Sequence, residues 1–146
     1  MDRTLSLPLL ITALVPLTGA APATSDLTLK LDGLRNTKGT VRVCLTSDSM
    51  RFLECQKVPG AVGRSVAAVQ AREISLGRVP AGTYALLVIH DENNNGKFDM
   101  TLGIPREGFG FSNNPAMRPR PPRWDEIRFA LPGGPATETV RVRYVL

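Results

Sequence analysis

The sequence predicts an all-β fold, an antiparallel β-sandwich of about seven short strands. Three observations predict it. Apolar residues recur at every second position in short runs, the signature of strands with one buried face. Gly, Pro and Asn clusters separate those runs. Helical spacing is poor except at Arg64 to Gln70, where Val66, Ala67 and Val69 leave a short helix open.

The elements follow in order. Leu27, Leu29 and Leu31 alternate with Thr28, Lys30 and Asp32, and Asn36-Thr37-Lys38-Gly39 is a turn signal. Val41, Val43 and Leu45 alternate next, and Glu73 to Gly77 repeats the pattern. Thr83 to His90 is apolar on both faces, which marks a central strand. Ile127, Phe129 and Leu131 form a later run. Val140, Val142 and Tyr144 form the last, with Arg141 and Arg143 on the wet face. Phe98 to Asn114, and on to Pro122, reads as a long irregular connection, and such connections often carry function.

The N-terminus reads as a cleavable signal peptide over residues 1–23. Arg3 precedes an apolar stretch from Leu5 to Leu17, and small residues follow in Thr18-Gly19-Ala20 and Ala21-Pro22-Ala23. The stretch is short for a membrane span and holds Pro8 and Pro16. Residues 24–146 then form one domain, large enough to bury a hydrophobic core. Export to the periplasm or the medium follows, with no membrane span after cleavage. The 18 Lys and Arg against 13 Asp and Glu give a net charge of +5. That charge is dispersed, so it does not point to nucleic acid. Only Arg118, Arg120 and Arg123 cluster, in a Pro-rich segment that reads as a solvated loop. Cys44 and Cys55 are expected to pair, as two cysteines of an exported protein usually do.

The sharpest chemical signal is His90 to Asp99, which contains D-x-N-x-N-G-x-x-D. Oxygen donors at alternate positions can wrap a hard cation, and Gly96 permits the sharp turn. Asp91, Asn93, Asn95 and Asp99 would supply side-chain oxygens and Lys97 its carbonyl. The pattern departs from an EF-hand. A strand precedes it, and the twelfth position is Leu102 where a bidentate Glu is required. Glu107 could serve only if the chain folds back. The alternative is a plain turn rich in Asx residues. A site of this composition binds calcium weakly.

His90 is the only histidine. It abuts Asp91, but the two side chains of adjacent strand residues point to opposite faces. A hydrolase using His90, Asp91 or Glu107 is the enzymatic alternative. Gly103 to Asn114 alternates Gly with Phe109 and Phe111, which places two rings on a flexible backbone, followed by Asn113 and Asn114. With Glu107, these could hold a ligand by stacking and hydrogen bonds. Alternatively, the two rings plug the open end of the sandwich.

Three blocks taken together carry a resemblance. They are Pro80-Ala81-Gly82-Thr83-Tyr84-Ala85, His90 through Asp99, and Gly103 through Asn114. In this order they resemble the bacterial family DUF2141, over about Asp26 to Leu146. The turn and the Asx-rich loop also occur in sandwiches of transthyretin-like or carboxypeptidase-regulatory-like type. The resemblance implies an exported bacterial protein, expected in the periplasm, and supplies no catalytic residues.

The reading is therefore an exported non-catalytic module for binding or accessory roles, its partner unknown, with a purely structural domain as a further alternative. Its first test is export. N-terminal sequencing of exported protein is expected to start between Ala21 and Thr24, and an intact Met1 would refute the leader.

Overall fold

The computed structural model describes residues 19–146, so most of the expected leader lies outside the described residues. Those residues form ten strands: β1 (Thr24–Asp32), β2 (Thr40–Thr46), β3 (Val62–Ala67), β4 (Glu73–Pro80), β5 (Gly82–Asp91), β6 (Met100–Thr101), β7 (Ile104–Pro105), β8 (Gly108–Phe111), β9 (Phe129–Leu131) and β10 (Gly134–Arg141). A four-residue helix α1 (Trp124–Ile127) and two 3-10 segments, Phe52–Lys57 and Ala68–Gln70, complete the inventory.

Two principal sheets face one another. The smaller has the order β10-β1-β4, and the larger β3-β2-β5-β8, with β9 also pairing with β5. Leu27, Leu29 and Leu31 of β1 point inward with Ile74, Leu76 and Val79 of β4. They meet Val41, Val43 and Leu45 of β2 and Leu86 and Val88 of β5 in one buried cluster. Burying each such aliphatic side chain is worth about 1.5–3 kcal/mol, so the alternation read in the sequence is also the main source of stability. On β4 the alternation is reset by a bulge. Gly77 sits at φ +76°, the register against β1 slips between Leu27 and Thr28, and Val79 thereby faces the core three residues after Leu76.

The pairings are antiparallel with one exception, which corrects the expectation of a wholly antiparallel fold. β1 and β10 run parallel, from Ser25 beside Gly134 to Asp32 beside Arg141. Other elements also depart from the sequence reading. Val62–Ala67 is a strand, and helix-like spacing there survives only as the 3-10 segment Ala68–Gln70. Ile127 belongs to α1, and its side chain is fully buried against Phe52 and Ala85 on the outer face of the larger sheet. The long connection after Phe98 holds β6, β7 and β8. In the Arg-Pro segment, Arg120 is not a free surface charge. Its guanidinium donates to both Glu126 oxygens at 2.9 and 2.7 Å and holds that carboxyl down at about 2.

Cys44 and Cys55 form a disulfide. It ties the 3-10 segment Phe52–Lys57 onto β2, as expected of a loop pinned back on its own strand. Closing a loop this short constrains the unfolded chain by about 3 kcal/mol in the chain-entropy picture.

The Gly-Phe alternation has a packing cause. β8 pairs with β5, Phe109 beside Ile89 and Phe111 beside Leu87, so Gly108 and Gly110 face inward. There the segment after β10 crosses close by, and Phe109 and Arg143 exchange backbone hydrogen bonds at 3.0 and 2.9 Å. A Cβ on Gly110 would lie 2.6 Å from Val140 Cγ1 and 2.8 Å from the Arg141 carbonyl. The segment is thus an ordered strand and not a flexible backbone carrying two rings. Gly110→Ala is expected to cost about 1–3 kcal/mol by overpacking, read as a fall in Tm of about 5–10 °C. A Tm unchanged to within a degree would contradict this close approach.

Candidate functional site

β5 distributes its side chains to two faces. Leu86, Val88 and His90 enter the core, while Ala85, Leu87, Ile89 and Asp91 line the outer face. His90 is fully buried and both ring nitrogens are engaged. Nε2 lies 2.7 Å from the Lys38 carbonyl and Nδ1 2.6 Å from the Tyr144 hydroxyl. A carbonyl only accepts, so Nε2 carries the proton and Nδ1 accepts from the phenol. His90 therefore fastens the C-terminal segment and the Lys38 turn to β5.

Asp91, at the end of the same strand, organises the loop that follows. Its carboxylate is 2% exposed and accepts the backbone N–H groups of Asn95 at 3.2 Å and Gly96 at 2.8 Å. Asn93 Oδ1 accepts from the Asn95 N–H at 3.1 Å, and Asn95 Oδ1 from the Lys97 N–H at 2.9 Å. These successive Asx turns wind the loop around its own side chains. Both amides then donate to one oxygen of Asp99, at 2.8 Å from Asn93 and 2.7 Å from Asn95. Asp91, Asn93, Asn95 and Asp99 are thus brought together. The Lys97 carbonyl is shared with a residue that sequence reasoning missed. Arg42 of β2 donates to it at 3.0 Å and to the Gly96 carbonyl at 2.7 Å. The signal was available in retrospect, because Arg42 is the polar interruption in an otherwise apolar strand.

The chain does fold back to deliver Glu107. Leu102 and Gly103, at φ 52° and 78°, form a tight turn between β6 and β7. The Arg106 N–H donates to the Asp99 carbonyl at 3.0 Å, and Glu107 enters beside the loop, 4% exposed. Its Oε2 accepts the Asp99 N–H at 3.3 Å, while its Oε1 is buried with no hydrogen-bond partner. Burial, and then the charges of Asp91 and Asp99 and the hydrogen bond that its protonated form makes to Asp91, push its carboxyl up to about 7, against the opposing pull of the Asp99 N–H. Among the described residues no three His, Cys, Asp or Glu side chains converge as a metal-holding group. The donor set here mixes carboxylates with amides, and the amide N–H groups now occupy Asp99.

The other expected ligand residues divide. Phe109 and Phe111 lie on the outer face of the larger sheet, half-buried, with ring centroids 6.0 Å apart, and Phe98 packs edge-on against Phe109 at the same distance. Asn113 and Asn114 are not with them. Asn113 donates to the Arg128 carbonyl at 2.8 Å, and Asn114 to the Thr139 carbonyl at 2.8 Å, so both amides stitch the chain together.

The family model described as uncharacterized protein conserved in bacteria (DUF2141) matches residues 29–139. No curated protein and no solved structure matches the chain.

The raised Glu107 pKa carries a sign. Below pH 4.5 the folded and unfolded states both hold the proton. Between 4.5 and 7 the unfolded state releases it first, so stability falls as pH rises, and the loss is complete above 7. Glu107→Gln is therefore expected to stabilise the chelator-treated protein by about 2 kcal/mol at pH 7.5. It should change little at pH 4.5. Denaturant unfolding at the two pH values measures this, and a less stable variant at pH 7.5 would contradict it.

Proposed function

The chain belongs to the bacterial DUF2141 family, and from the geometry of its Asx loop we propose that it is an exported, non-catalytic binding module that seats a calcium ion weakly at Asp91, Asn93, Asn95, Asp99 and Glu107. One observation carries the reading. Glu107 Oε1 is a buried oxygen with no hydrogen-bond partner, and its carboxyl feels the charges of Asp91 and Asp99. An orphaned buried carboxylate oxygen costs free energy, and like charges packed together add to the cost. A divalent cation relieves both. An all-oxygen donor set suits a hard ion, and flexible spacing suits calcium better than magnesium.

The amides of Asn93 and Asn95 need only small changes to join. An amide oxygen has two lone pairs, so it can keep its backbone N–H and also face an ion. The Lys97 carbonyl can be shared with Arg42 for the same reason. The disulfide, in a bacterial protein, supports export past an N-terminal leader over residues 1–23, ahead of the domain at 24–146. The non-catalytic reading is supported by His90. Its nitrogens hold the fold, and it faces away from Asp91 across β5.

The test is thermal unfolding of the mature protein with and without calcium. At ~1 mM calcium and a dissociation constant of ~0.1 mM, mass action adds about 1.4 kcal/mol. That is a rise of about 5 °C. Glu107→Gln should abolish the rise while leaving the fold intact, and magnesium should reproduce it poorly. A melting curve indifferent to calcium would leave the loop as a plain Asx-rich turn.

A further inference from the structure

The outer face of the larger sheet is covered at one end only. Phe52, Ile127 and Trp124 close over Ala85. Beyond them, between the disulfide-anchored 3-10 segment and the Asx loop, lies an open groove of about 470 Å³. Its floor is Leu87 and Ile89 of β5, both half-buried, beside the Cys44–Cys55 bridge. Leu53 forms one lip and is 49% exposed, and Phe98 forms the other at 38%. Two exposed apolar side chains bordering an apolar floor are the form of a small-molecule site, and the volume lies in the usual range.

The groove is lined by three cations and one carboxylate. Arg42, Lys57 and Lys97 line it, and the carboxylate of Glu54 is already bonded to Lys57 at 3.0 Å. Arg42 is likewise spoken for, 3.7 Å from the buried Asp91 carboxylate, so among the described residues the cation left to meet a ligand is Lys97 at the Asx-loop end. Both walls are held in place before any ligand arrives. The disulfide fixes one, and the bonds from Arg42 to the Gly96 and Lys97 carbonyls fix the other. Such preorganisation lowers the ordering cost of binding.

We propose that this groove binds a linear amphiphile with one anionic head, a medium-chain fatty carboxylate, its chain over Leu87 and Ile89 and its head toward Lys97. The proposal names a ligand class for the binding module. It does not depend on the ion, because the groove exists without one. The experiment accordingly runs in chelator, by titration calorimetry of the mature protein with sodium dodecanoate. Binding is expected in the range of tens of micromolar (about 6 kcal/mol), and dodecyl maltoside below its micelle concentration should bind at least about tenfold more weakly. Lys97→Ala and Leu53→Asp alter exposed side chains, so the fold should survive, as circular dichroism can verify. Each should weaken binding about fivefold or more. No binding up to about 1 mM dodecanoate, equal binding of the maltoside, or either variant binding as tightly as wild type overturns the proposal. A calcium-dependent Tm with no dodecanoate binding would remove the groove ligand and leave the ion seat standing.

Discussion

The structure depends on one strand being apolar on both faces. β5 pairs with β2, β8 and β9, and its inward side chains close the core between the sheets. Its outward side chains then need a second cover. Phe52, held near β2 by the disulfide, and Ile127, delivered by α1, supply it over Ala85. The cover reaches Leu87 only in part and stops short of Ile89, and the strand ends in Asp91. A single row of outward residues thus passes from a sealed cluster through an open groove to a polar loop. The candidate site is where the covering of this strand runs out.

At that end the polar groups are not fully matched. Among the described residues, the buried side-chain nitrogen and oxygen atoms lacking a partner are Arg42 Nε and Glu107 Oε1, and both flank Asp91. Arg42 Nε lies 3.7 Å from Asp91 Oδ2, too far for a hydrogen bond but close enough for attraction. Buried polar groups are otherwise satisfied as a rule, so two such atoms around one aspartate mark a place where the fold bears a cost. Asp91 tolerates this position because it accepts two backbone N–H groups. Those bonds shape the loop whether or not an ion is present.

Much of the fold was legible because burial follows a period of two. The core positions of β1, β2 and β5 stand where alternation puts them, and the disulfide followed from two cysteines. What escaped the sequence was non-local. Val62–Ala67 exposes most of its side chains, so it has little apolar pattern to read. The parallel pairing of β1 with β10 joins residues more than a hundred positions apart, and no local signal encodes it. In the site, the Asx spacing announced the loop. Glu107 arrived only through the turn at Leu102 and Gly103, and Arg42 only through the register of β2 against β5. Gly108 and Gly110 gave a misleading signal: they read as flexibility, whereas their role is to let the C-terminal segment pass close behind β8.

The central claim is that the orphaned Glu107 oxygen and the Asx loop together form a cation seat. Its most direct test is a crystal structure of the mature protein grown with calcium, with anomalous diffraction to locate the ion. The account predicts one anomalous peak bounded by oxygens of Asp91, Asn93, Asn95, Asp99 and Glu107, at about 2.3–2.6 Å from each direct ligand. Asn93 and Asn95 should have turned their amide oxygens toward it. Absence of a peak there, with both amides still donating to Asp99 and Glu107 Oε1 still unpaired, would contradict it.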